Sequence, residues 1–272
     1  MKKRMLFAFA LVLALTACAD TEPTDGEEGA EETTPFAYHL EERNEAESAY
    51  ADDGTLLSSY DYTLPFMVAE GSPDEKQQAV VDAFNEEMTA LKESSLSYYG
   101  ETVSPAAASD YEYGKEIGLA WDVAYDDQLA YTQKSGERFI SLNIAENTYT
   151  GGAHPTSGVL CKLFDLTAGE WVTAEELTDD PDAFRNAVAE SILTSIAEEG
   201  LAENYYDDYA ETVRRQEGVE YEFGTENASE TGVTVYFQDY TLAPHAVGIQ
   251  SFFVPIEAYR DTLNARGLAL FG

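Results

Sequence analysis

Two hydrophobic periods occupy separate stretches of this chain, and their separation restricts the fold more than any other feature. Val80, Val81, Phe84, Met88 and Leu91 recur at helical spacing, as do Phe184, Val188, Ile192 and Ile196. Ile140, Leu142 and Ile144, and then Val159, Cys161 and Leu163, alternate instead, as strand residues do when one face is buried. Helices and strands in runs, without regular βαβ alternation, predict an α+β fold: an antiparallel sheet with helices packed on it, the N-terminal and C-terminal parts forming one compact unit. A composition of 44% hydrophobic and 12% aromatic residues supplies the core such a fold needs.

Punctuation refines the element order. Tyr50–Val68 is rich in Tyr, Leu and Phe and reads as one or two strands. Ser72-Pro73-Asp74-Glu75 reads as N-cap, N1 proline and capping-box Glu, opening a helix that runs to about Glu93. Ile117, Leu119, Trp121, Val123 and Tyr125 alternate with small or polar residues and predict a strand, the first of a three-stranded antiparallel meander. Asp180-Pro181 opens a second helix that ends near Gly200, and the Tyr-rich stretch Asn204–Gln216 reads as a third. Val233, Val235 and Phe237, then Ile249–Val254, form a closing pair of strands, and Pro255–Ala265 a terminal helix.

The N-terminus carries an address. Lys2, Lys3 and Arg4 precede an apolar run, Leu6–Leu15, half the roughly 20 residues needed to span a bilayer as a helix. Residues 1–17 thus read as a signal peptide. Leu15-Thr16-Ala17-Cys18 resembles the lipobox of bacterial lipoproteins, which implies lipidation at Cys18 and an anchor of two acyl chains at the outer face of the cytoplasmic membrane. Residues 18–35 form the lipidated Cys and an acidic tether, seven of the thirteen residues Asp20–Glu32 being Asp or Glu. With Cys18 blocked, Cys161 has no disulfide partner, and its spacing favours a core position over a reactive thiol.

Charge excludes one class of partner. The chain has 52 acidic and 15 basic residues, a net −37; cleavage before Cys18 removes three basic residues and no acidic one, leaving 12 against 52, or −40. Such a chain repels phosphate, so nucleic acid is not a partner. The same field attracts cationic proteins or metal ions, and composition alone does not choose between them.

Tyr149-Thr150-Gly151-Gly152-Ala153-His154-Pro155 is the densest chemical signal. A Gly-Gly turn exposes backbone N–H groups, and a His before Pro is held extended. His154 reads either as a ligand or general acid–base group, or as a hydrogen-bonded residue that fixes the turn. His245, in Tyr240–Gly248, is its long-range companion, whereas His39 lies near the tether. Tyr149, Gly151, Gly152, His154 and His245 are therefore the candidate ligand or turn residues. The sequence implies no cofactor and no defined metal set: it has no His-Glu-x-x-His and no Gly-x-Ser-x-Gly. Asp179-Asp180 reads as a helix start rather than a calcium loop.

Tyr149–Pro155, then Phe164-Asp165-Leu166 with Gly169 and Trp171, a helix, and Tyr240–Gly248 followed by Phe253-Val254-Pro255, resemble the RsiV-like domain of unknown function. That family includes the extracellular part of lysozyme-sensing anti-sigma factors and an accessory region of peptidoglycan deacetylases. The resemblance makes residues 131–272 the RsiV-like domain and residues 36–130 its N-terminal companion, in one α/β unit. This chain departs from it in its N-terminal lipobox, in Thr150 where the deacetylase metal motif needs a His, and in His245 where an aromatic residue is expected. The resemblance implies a lipid-anchored extracytoplasmic recognition module whose ligand is a lysozyme-like cationic protein or a cell-wall glycan. The alternative is a metal-dependent cell-wall hydrolase or deacetylase using His154 and His245. It requires the two imidazoles within about 6 Å of each other, since zinc–nitrogen bonds are ~2.1 Å. Tyr-rich segments at Ser97-Tyr98-Tyr99 and Asn204-Tyr205-Tyr206 read equally as platforms for stacking on sugars and as tyrosines of packed surfaces.

Overall fold

A computed structural model describes residues 37–226 and 229–271, all within the unit Thr34–Gly272. The expected signal peptide, Cys18 and the tether lie outside the described residues. Nine strands and five α-helices appear among those described.

The chain begins with a long hairpin, β1 (Tyr38–Tyr50) and β2 (Leu56–Ala69), turned at Gly54. β1 is absent from the sequence expectations. Its acid-rich segment is mostly exposed and lies at the sheet edge, so no buried face imposes a period on it. Helix α1 (Glu75–Tyr98) starts two residues later than Ser72 suggests, because Asp74 caps it: Gln77 N–H donates to Asp74, and the Gln77 side chain accepts from the Asp74 N–H. A π-turn, Tyr99–Val103, carries α1 past Glu93 into α2 (Ser104–Ile117), which Gly118 ends in the left-handed region.

The strand expected around Trp121 is a correction. Residues 118–124 are a loop, with Ile117, Leu119 and Val123 exposed, and β3 is Tyr125–Ser135. The alternation there arranges apolar groups toward solvent rather than into a core. β4 (Phe139–Tyr149), β5 (Thr156–Asp165) and the short β6 (Glu170–Val172) follow in an antiparallel meander with β3, giving a six-stranded sheet in chain order. The α1–α2 crossover makes β2 and β3 the one parallel pair among the described residues, Ser58 facing Tyr125.

The second helix is as expected: α3 (Pro181–Glu199) is capped by Asp180 and ended by Gly200, with Phe184, Val188, Ile192 and Ile196 buried. Asn204–Gln216 is helical only at α4 (Tyr209–Arg215). Val219–Glu226 is β7, a strand the sequence reading lacks, and it joins β8 (Glu230–Phe237) and β9 (Gln250–Pro255) in an antiparallel three-stranded sheet. The terminal helix is α5 (Ala265–Phe271), later than expected, behind two 3-10 turns.

Two cores result. One lies between α1, α2 and the six-stranded sheet, around Phe84, Met88, Tyr62, Leu142 and Phe164. The other packs α3 and α5 on the smaller sheet, around Val188, Ile192, Val233, Val235 and Phe237. β7 lies against β3, β4 and β5, which brings the two sheets together.

Register decides which loops become neighbours. Tyr50 pairs with Leu56, Ser58 with Tyr125, Asp126 with Tyr149 and Thr148 with Thr156. The β1–β2 turn, the 118–124 loop and the Gly151–Pro155 turn therefore share one end of the sheet. Ala37, where the described chain begins, sits at the other end, hydrogen-bonded to Glu70. A thirteen-residue strand separates the two ends, about 40 Å.

Candidate functional site

The loop-rich end of the large sheet is joined by a fourth loop, residues 238–248, from the small sheet. The joint is made by Gln238. Only Leu163–Asp165 of β5 pair with β6, so the earlier part of β5 has no strand on that side. The Val159 N–H donates to Gln238 Oε1 at 3.0 Å, and Gln238 Nε2 donates to the Val159 carbonyl at 2.6 Å. The side-chain amide thus stands in for a residue of a missing strand, satisfying an edge that would otherwise carry unpaired groups. The Cys161 N–H donates to Glu220 Oε2 at 2.8 Å in the same way.

Clamped at Gln238, the loop delivers Asp239, Tyr240 and His245 to the Gly151–Pro155 turn. Tyr240 adopts φ +64, a left-handed conformation rare outside glycine, and this turns its ring back toward His154. The two candidate histidines meet: their rings stack with centroids 3.6 Å apart and planes 17° from parallel. His245 Nδ1 donates to the Asp239 carboxylate. His154 Nδ1 lies 2.9 Å from the Pro155 carbonyl, which only accepts, so that nitrogen carries the hydrogen and Nε2 accepts the Tyr240 hydroxyl at 3.2 Å. Sequence reasoning brought His154 and His245 forward and missed Gln238 and Asp239. The only available signal was their position directly before Tyr240, an acid six residues ahead of a His.

The turn is built for close approach. Gly151 has φ +87, and a Cβ on it would stand 2.6 Å from the Tyr125 hydroxyl oxygen; Gly152, at φ +98, faces open space. Tyr149 donates to the Gly152 carbonyl at 3.1 Å, which braces the turn.

This geometry argues against a shared metal. Nearly parallel rings point their in-plane nitrogen lone pairs side by side, so an ion ~2.1 Å from both would lie far outside each ring plane. Three of the four ring nitrogens already have protein partners. Among the described residues, no group of three or more His, Cys, Asp or Glu is placed to hold a metal ion. Burial drives the Cys161 thiol well above its ordinary range, with Glu220 and Glu222 adding to the effect, consistent with an unreactive, structural cysteine.

Beside the histidines lies a cavity of about 490 Å³ walled by aromatic rings. Tyr111 and Trp121 meet edge-on at 5.7 Å and Tyr125 and Tyr149 edge-on at 6.0 Å, while Trp121 and Tyr125 lie 5.4 Å apart with planes tilted by 34°. Burial and the Asp110 carboxylate, which accepts its hydroxyl at 2.5 Å, push Tyr125 up to about 12. The Tyr111 hydroxyl donates to Asp53 at 2.6 Å and holds that carboxyl at about 2.

Fold and site together define an α+β domain whose distinguishing feature is a loop-built sheet end. Residues 179–257, less than a third of the chain, match a family model described as a protein of unknown function, DUF3298. The match runs from the start of α3 through β9 and includes the Gln238–His245 loop. The fold is shared with crystal structures of DUF3298 family proteins from Bacteroides fragilis and Pseudomonas aeruginosa PAO1. The first has 16% sequence identity, 87% of this chain and 97% of that chain covered, and a TM-score of 0.60; the second has 15%, 88%, 98% and 0.50. No curated protein matches the sequence. No helix among the described residues is long and apolar enough to cross a membrane.

Proposed function

We propose that this protein is a lipid-anchored recognition module, RsiV-like in its C-terminal half, that works at the outer face of the bacterial cytoplasmic membrane. It binds a lysozyme-like cationic protein or a cell-wall glycan. One observation carries the reading: four loops from both sheets converge on the sheet end that lies farthest from Ala37, the point where the tether enters. That end is the one most remote from the point of attachment.

Charge supports the cationic partner. A mature net charge of −40 accelerates encounter with a basic protein, and salt weakens the effect because exposed charges are screened within about 10 Å at 0.1 M. The aromatic cavity supports the glycan. The hydrolase alternative finds less support, since the stacked imidazoles face each other instead of a common ion. Titrating the full chain with hen lysozyme at low and at high salt tests the protein-ligand version: binding that weakens with salt supports it, and absence of binding at low salt removes it.

A further inference from the structure

The aromatic cavity differs from an ordinary apolar hollow in where its polar atoms go. Trp121 donates its indole N–H to the Leu56 carbonyl at 2.9 Å, Tyr111 its hydroxyl to Asp53, Tyr125 to Asp110 and Tyr149 to Gly152. Each ring is thereby fixed in orientation by a bond to its own protein. Tyr111 and Tyr125 are themselves buried, so the rings a ligand can reach are the half-buried Trp121 and Tyr149, held in place before any ligand arrives, so that little side-chain entropy is lost on binding to them.

The carboxylates near the rings are likewise engaged. Asp53 and Asp110 accept tyrosine hydroxyls, and Lys115, the single cation among the described residues lining the cavity, bonds Glu112 and sits 4.9 Å from the Tyr111 ring centre. The cavity therefore offers no free cation for an anionic ligand, and of its two acids only Asp110 accepts a hydroxyl of the protein, through one oxygen. Asp122 and the carboxylate oxygens left open at Asp110 are acceptors for hydroxyl donors. Tyr113, 61% exposed, stands at the mouth with Leu119, 64% exposed.

From these features we infer that the cavity between the 113–123 segment and the Gly151–Gly152 turn is a saccharide-binding cleft. Its ligand is an uncharged pyranose chain, whose C–H faces lie on Trp121 and Tyr113 and whose hydroxyls donate to the acids at the margin. The volume, about 490 Å³, is that of a small-molecule site and takes two or three such units. Gly152 lies open at the far side, where a side chain would narrow the entrance. The assignment rests on the reading of this sheet end as a recognition face, and it adds the ligand class and the residues.

Isothermal titration of the full chain with the tetramer of N-acetylglucosamine, with cellotetraose and with poly-lysine tests it. The expected result is saturable binding of at least one tetrasaccharide, weakened about tenfold or more by Tyr113→Ala and by Trp121→Phe and unchanged by Leu268→Ala, an exposed apolar residue beside the β3–β4 turn at the opposite end. Tyr113 is largely exposed, so its loss spares the core, and an unchanged melting temperature verifies that. Tetrasaccharide binding that ignores both substitutions overturns the cleft. Failure of both tetrasaccharides to bind while poly-lysine or hen lysozyme binds also overturns it and leaves the recognition reading standing; failure of all four removes both.

Discussion

Gln238 and Gly151 each hold one half of the histidine site, by different physics. Truncating Gln238 to alanine leaves the Val159 N–H and carbonyl on a bare strand edge, a cost of about 1–3 kcal/mol. It also frees the loop that carries His245. The expected outcome is a lower denaturant midpoint together with shifted imidazole resonances of both His154 and His245; a stability loss without any imidazole change would mean that Gln238 does not position the site. Gly151→Ala forces a side chain into the left-handed region and against the Tyr125 hydroxyl, costing about 1–3 kcal/mol. Gly152→Ala, with similar φ and open space, should cost less, and the difference between the two reports the steric part. The Gly-Gly-x-His spacing and the distant His245 were legible because glycine and histidine have few structural alternatives at such positions. Gln238 was not, since an amide that imitates a strand has no sequence signature.

At the level of elements, helices and buried strands were legible and edges were not. α3 shows both its caps and its apolar face in the sequence, and β4 its buried Ile140, Leu142 and Ile144, because a buried face enforces a period. β1 is edge-exposed and acid-rich, and the 118–124 loop carries a strand-like alternation with its apolar groups outside, so the period misleads in both directions. α1 is anchored by Phe84, fully buried against Phe164 and Trp171, and Phe84→Ala should cost about 3–5 kcal/mol in urea unfolding. The seam between the sheets holds carboxyls out of water. Burial raises Glu146, with Asp127 adding, and burial raises Glu220 although the Cys161 N–H opposes it. A carboxyl raised in the folded state costs nothing below its ordinary value of about 4.3 and imposes its full penalty above the raised value, so stability falls as pH climbs through that interval. Glu146→Gln should flatten this fall in a series of melting temperatures from pH 4 upward; a fall of undiminished slope would place the penalty elsewhere.

Within the unit Thr34–Gly272 a long hairpin fixes the distance between Ala37 and the loops, and the second sheet, clamped through Gln238, completes the far end. The net charge of −37, which becomes −40 with the proposed cleavage before Cys18, argues against nucleic acid and for a cationic partner without locating the contact. Location comes from strand register, which no single motif contains. The central claim, that this loop-built end is where the protein meets its ligand, is tested most directly by hydrogen–deuterium exchange of the full chain with and without hen lysozyme at low salt. The account predicts slowed exchange in residues 113–123, 150–155 and 239–248, lost at high salt. Protection confined to the opposite end, around residues 69–71 and 135–139, or no protection at all, would contradict it.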